Sequence, residues 1–163
     1  FRARLLAYMQ EFPSKTGTTL PADLDEDLFS LAAELVQTRI VVLSDAWDLL
    51  DFLYCGEAFA IDEKSGRKNL KEDAKPVLRA ALAALEAISD DEWTTPAIEN
   101  ALKQELIEKM KLKPRKAFTP VRVAVTGTHI SPPLFESMEM LGRTVTVERL
   151  TTALSYQPVP LEN

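Results

Sequence analysis

Fourteen consecutive residues, Lys109 to Arg122, hold six cations (Lys109, Lys111, Lys113, Arg115, Lys116 and Arg122) and no acid. Such a run suits a polyanion. Ammonium groups meet phosphate oxygens as point charges, and a guanidinium forks onto two acceptors at once. A second cation stands out by isolation: from Thr16 to Glu63 there are eleven Asp and Glu residues and one basic residue, Arg39. Taken by itself, such an arginine reads first as the partner of a neighbouring carboxylate. The net charge of −6 excludes blanket attraction to nucleic acid, but a chain this polarised can meet a polyanion with one edge and keep the rest soluble.

Catalytic chemistry finds little to work with. The one histidine, His129, lies in the connection Gly127-Thr-His-Ile-Ser131, where a solvated or hydrogen-bonded side chain is a plainer reading than a general base. Neither a glycine-rich phosphate loop nor a Gly-x-Ser-x-Gly turn occurs. Asp23-Leu-Asp25-Glu-Asp27, with Glu34 at the twelfth place, mimics a calcium loop, but Leu28 stands where the sixth place requires glycine. Asp90-Asp-Glu92 reads as a solvated turn. The one cysteine, Cys55, excludes an internal disulfide and a Cys-based zinc site, and it reads as a small buried hydrophobe. Trp47 and Trp93 could stack on bases, yet both fit helix packing better. The sequence therefore predicts no catalytic residue and no metal site.

Helices must position these groups. Leu24, Leu28, Leu31 and Leu35 recur at helical spacing, predicting a helix over 22–37 whose acidic first turn suits the helix dipole. Asp45 reads as the cap of a helix over 45–54 with Leu49, Phe52 and Leu53 inward. Asp62-Glu-Lys-Ser-Gly-Arg-Lys-Asn69 has no apolar residue and reads as an exposed loop. Beyond it, Val77, Leu78, Ala81, Leu82, Leu85 and Ile88 predict an amphipathic helix from near Pro76. Thr95-Pro96 reads as a helix opening, and the helix runs through Leu102, Leu106 and Met110 until Pro114 ends it. Thr119-Pro120 and Ser131-Pro132 read as further openings, the first leading into a short helix over 121–125. Gly142 closes the helix Leu134 to Leu141, a last helix spans about 147–154, and the tail Pro158-Val-Pro160 has no regular structure. The expectation is an all-α chain with a first helical subdomain over 1–61, a loop over 62–69 and a second helical subdomain over 70–163. Phe1 to Gln10 lacks an initiator methionine and reads as the middle of a helix, as in a chain cut from a longer one. No run approaches the roughly 18 residues of a membrane span.

Order and spacing carry a resemblance. Lys109-Met-Lys-Leu-Lys-Pro-Arg-Lys-Ala-Phe118 runs into Thr119-Pro-Val-Arg-Val-Ala-Val-Thr-Gly127. Ser131-Pro-Pro-Leu-Phe-Glu136, Met140-Leu-Gly-Arg143 and Val147-Glu-Arg-Leu-Thr-Thr-Ala-Leu154 follow. Together with Leu35-Val-Gln-Thr-Arg-Ile40 and Leu50-Asp-Phe-Leu53 upstream, the chain resembles the C-terminal, anticodon-binding part of bacterial glutamyl-tRNA synthetases. The resemblance implies two small helical subdomains forming an α-helix cage around the anticodon arm of glutamate tRNA. It implies a cytoplasmic, monomeric parent enzyme whose ATP and magnesium belong to a catalytic domain bearing a His-x-Gly-His-like motif. That motif does not occur here, so the fragment is expected to bind tRNA without aminoacylating it and to hold no cofactor.

Residue by residue, the resemblance implies that Arg39 reads the last anticodon base. It further implies that Arg122, Thr119, Ser131, Pro132 and Leu134 line the pocket for the first two. Single-stranded anticodon bases expose edges that arginine can pair with bidentately. Lys109, Lys111, Lys113, Arg115 and Lys116 are expected on the tRNA backbone, where they position rather than specify. Two other readings remain: a helical protein-interaction module that presents its acidic face to a basic partner, and the similar cage of a class I lysyl-tRNA synthetase.

Overall fold

The computed structural model describes residues 1–158. All regular structure among them is helical, and the chain divides into two compact units. The first comprises Phe1–Phe59 together with Ile130–Pro133, and the second Ala60–His129 with the chain from Leu134 onward.

In the first unit α1 spans Arg2–Glu11, α2 Glu26–Gln37 and α3 Asp45–Tyr54. Asp25 caps α2 by accepting the Leu28 N–H at 3.0 Å, so this helix starts four residues later than the leucine spacing predicts. Its buried face also differs: Phe29, Ala32, Ala33 and Val36 face inward, while Leu31 is 52% exposed. The reason is that two alanines and a phenylalanine at i, i+3 and i+4 let α2 approach its neighbours closely, which four leucines would not. Full burial of a side chain the size of Phe29 or Leu50 stabilises the unit by about 1.5–3 kcal/mol. Trp47 is buried and its indole N–H donates to the Phe12 carbonyl at 2.8 Å, so it is a core residue.

In the second unit α4 spans Glu63–Asn69, α5 Lys75–Glu86, α6 Thr95–Leu102, α7 Pro114–Thr126, α8 Leu134–Leu141 and α9 Arg143–Leu154. The core gathers Leu78, Leu85, Ile98, Leu102, Leu106, Val121, Ala124, Met138 and Leu150. Trp93 joins it, its indole N–H donating to the Met138 carbonyl at 2.9 Å. The helix over 75–86 starts where Pro76 predicts, and α8 has the predicted bounds. Gly142, at φ 87, ends α8 and leads directly into α9. Of the tail, Val159 and Pro160 lie outside the described residues.

Three expectations fail here. The segment 62–69 is no exposed loop: Asp62 accepts the Ser65 N–H at 2.9 Å and caps α4, in which Ser65 and Gly66 are buried. The cap for α6 is Thr94 rather than Thr95. Most consequentially, Thr119-Pro120 does not open a helix. Pro114 stands at the start of α7, and Pro120 lies inside it, leaving the Lys116 carbonyl without its helical donor. Ala117, Val121, Ala124 and Val125 bury one side of this continuous helix, and that packing outweighs the lost hydrogen bond. Between α6 and α7 the chain widens into a π-helical stretch, Lys103–Lys109, and then turns through Lys111 at φ 59.

Candidate nucleic-acid interface

Arg39 follows the C-terminus of α2. Its N–H donates to the Val36 carbonyl at 2.8 Å, and its guanidinium donates to the Leu35 carbonyl, so the side chain satisfies its own helix end. The residue is exposed, and among the described residues Arg39 makes no ion pair. The next turn is fixed by Asp45, which is the first residue of α3 and not its cap. Its carboxylate accepts the N–H groups of Val42 and Val41 at 3.0 Å each. These two bonds, Val42 first, hold the Asp45 carboxyl below the usual carboxylate range. Val41, 94% exposed, thus stands beside Arg39 on a braced turn.

In the second unit the continuous α7 changes what the basic run does. Arg115, Thr119 and Arg122 fall at i, i+4 and i+7, one helix face, with Lys116 beside them. Arg115 and Lys116 are exposed, Thr119 and Arg122 half-buried. Burial pushes the Arg122 pKa down from the ordinary arginine value, although the guanidinium keeps its charge at neutral pH. The run is not uniform. Lys109 pairs with Glu105 at 3.1 Å within the π-helical stretch. Lys111 and Lys113 are exposed in the turn, and Arg115 and Lys116 sit in the first turn of α7, where the dipole disfavours cations.

The predicted pocket residues divide between the units. Ser131 and Pro132 belong to the first, Arg122, Thr119 and Leu134 to the second. Ser131-Pro132 does not itself open a helix, because α8 begins at Leu134 and the Ser131 hydroxyl donates to the Pro132 carbonyl at 2.7 Å. Pro132 is buried, and the Leu134 side chain is 4% exposed in the core, so Leu134 can offer a ligand little beyond its main chain. His129 is hydrogen-bonded, its Nδ1 3.1 Å from the Ser65 hydroxyl.

Sequence reasoning missed Asp45 as the brace of the turn after Arg39, and it missed Lys64 and Lys68, which α4 sets four residues apart in a groove with Arg115 and Lys116. The signal was present as Asp62-x-x-Ser65, a capping pattern, but a segment without one apolar residue gave no periodicity to confirm it.

Among the described residues, exposed cations thus stand at the end of α2, in the turn before α7 and on one face of α7. This chain belongs to the anticodon binding domain family, whose model matches residues 2–154. The chain is 57% identical over 154 residues to the glutamate–tRNA ligase of Rhodococcus jostii, covering 94% of this chain and 30% of that protein. It is 54% identical over 159 residues to the glutamate–tRNA ligase of Corynebacterium jeikeium, covering 97% and 31%. It therefore spans somewhat under a third of the length of these relatives. Among solved structures, a glutamate tRNA ligase from Elizabethkingia meningosepticum shares the fold, with a TM-score of 0.74 at 17% identity over 94% of this chain and 29% of that one. No helix among the described residues is long and apolar enough to cross a membrane.

Proposed function

We propose that this chain grips the anticodon arm of glutamate tRNA as the anticodon-reading part of a glutamate–tRNA ligase. The observation that carries this reading is the state of Arg39. Eleven carboxylates populate its stretch of sequence, yet the residue is exposed and makes no ion pair among the described residues. One of its guanidinium N–H groups closes the end of α2 on the Leu35 carbonyl, and the donors that remain suit a bidentate base edge. In the same reading Arg122 and Thr119 meet bases from the α7 face. The Leu134 main chain of the second unit and, separately, Ser131 and Pro132 of the first are further base contacts in this reading. Lys111, Lys113, Arg115 and Lys116 meet phosphates, and Lys109 contributes less because Glu105 already engages it.

The parent protein, in this proposal, attaches glutamate to tRNA at the expense of ATP, works as a cytoplasmic monomer, and holds ATP and magnesium outside this chain, which alone is inactive in aminoacylation. Titration of this chain with glutamate tRNA at about 50 and about 200 mM salt tests the reading. Binding that weakens steeply with salt supports it. Failure of a folded chain to bind at the lower salt overturns it and favours a helical protein-interaction module.

A further inference from the structure

A groove between α4 and the beginning of α7 encloses about 680 Å3 and lies wholly within the second unit. Its walls carry four cations, Lys64, Lys68, Arg115 and Lys116, against one carboxylate, Asp73. All four are exposed, and among the described residues none makes an ion pair. Lys64 interacts electrostatically with Asp62, but that carboxylate is already engaged by the Ser65 N–H at 2.9 Å. Lys68 suits the C-terminal dipole of α4, but the other placements carry a cost. Arg115 and Lys116 oppose the dipole of α7, and Lys64 and Lys68 repel each other at i, i+4. Within a chain of net charge −6, the groove is a local field of the opposite sign, and an anion lying in it would offset these repulsions with its attraction to each cation.

We propose that the groove seats the sugar–phosphate backbone of the bound RNA, with Lys64 and Lys68 of α4 as phosphate contacts beyond the basic run. The proposal rests on the tRNA-binding reading. Continuity argues for RNA as the occupant, since Thr119, which lines the groove, lies on the same α7 face as Arg122. Flexible lysines at a phosphate position the strand and carry no base preference. Their signature is therefore a change in salt dependence without a change in discrimination.

The test compares this chain with its Lys64→Gln/Lys68→Gln variant, titrating glutamate tRNA and a tRNA altered at the last anticodon base over a range of salt. Each lost phosphate contact removes about 0.7–0.9 from the slope of log affinity against log salt, so the double variant should lose about 1.4–1.8. Both tRNAs should weaken alike, leaving their affinity ratio unchanged. Lys15→Gln/Lys103→Gln removes the same charge from cations already paired with Asp48 and Glu99, and should leave the slope in place. An unaltered slope in the α4 variant, or an equal drop in the control, overturns the groove while wild-type tRNA binding still stands. Absence of any wild-type binding removes the anticodon reading and the groove together. Circular dichroism establishes that each variant keeps its helix content.

Discussion

A Cβ added to Gly66 would lie 2.7 Å from the Cζ of Tyr156, so glycine is what allows α4 to lie against the segment that follows α9. This close approach, with the Asp62 cap and the Ser65–His129 hydrogen bond, seats a helix that has no apolar residue, and it yields a prediction whose sign reverses. Gly66→Ala should destabilise the chain by about 1–3 kcal/mol through overpacking. In a Tyr156→Ala background the same change should stabilise it by about 0.5–1 kcal/mol, the ordinary helix preference of alanine over glycine. Urea denaturation of the four proteins in this cycle measures it, and equal effects in both backgrounds would contradict the contact.

Asp45 ties the turn that follows Arg39 to the start of α3. Its pKa is depressed by the Val42 and Val41 N–H groups, so its contribution to stability is present above the unfolded carboxylate value and is lost as pH falls through the lower folded value. Asp45→Ala should accordingly be less stable than the parent chain at neutral pH, with the gap closing at pH below about 4. At neutral pH it should also lose discrimination at the last anticodon base while keeping its salt slope. A pH-independent gap, or discrimination left intact, counts against the brace.

Lys111 adopts φ 59, a left-handed conformation that costs a side chain about 1–2 kcal/mol. Lys111→Gly relieves that cost against the unfolded-chain entropy that glycine adds, and should leave stability unchanged or raise it by up to about 1 kcal/mol. Its salt slope for tRNA should fall by about 0.7–0.9 if this lysine meets a phosphate. Thermal melts and titration read the two effects separately, and a clear loss of stability in Lys111→Gly would contradict the strained turn.

Arg143 donates to the carbonyls of Ile88 at 2.7 Å and Glu86 at 2.8 Å, closing the end of α5 from the start of α9. The Leu-Gly-Arg sequence there is thus a structural device. Arg143→Ala should cost about 1–3 kcal/mol and, where the variant is folded, leave tRNA affinity and its salt slope unchanged. Reduced affinity at full stability would place Arg143 on the RNA instead.

Helices rich in large side chains were legible in the sequence. The Val77-Leu78-Ala81-Leu85 face and the Leu134–Leu141 helix stand where their spacing puts them, because burial there is driven by apolar area. The errors arose where small or polar residues make the contacts. Alanines rather than leucines set the inner face of α2, and Ser65 and Gly66 bury α4. Pro120 misled most. Taken alone, Thr119-Pro120 reads as a start, yet packing on both sides of it keeps α7 whole. For the candidate interface, charge pattern found the basic run and the isolated Arg39. Which cations are engaged, as Lys109 is, and which stand apart depends on side-chain geometry that composition does not contain.

Base reading by Arg39 is the centre of this account, and one ratio measures it most directly. The affinity of the chain for glutamate tRNA is divided by its affinity for the same tRNA altered at the last anticodon base, for the parent chain and for Arg39→Ala. A bidentate arginine–base contact is worth about 1–3 kcal/mol of discrimination, so the parent ratio should be about 5 to 150 and should fall to near one in Arg39→Ala. A parent ratio that survives unchanged in Arg39→Ala would contradict the assignment of Arg39 as the reader of that base.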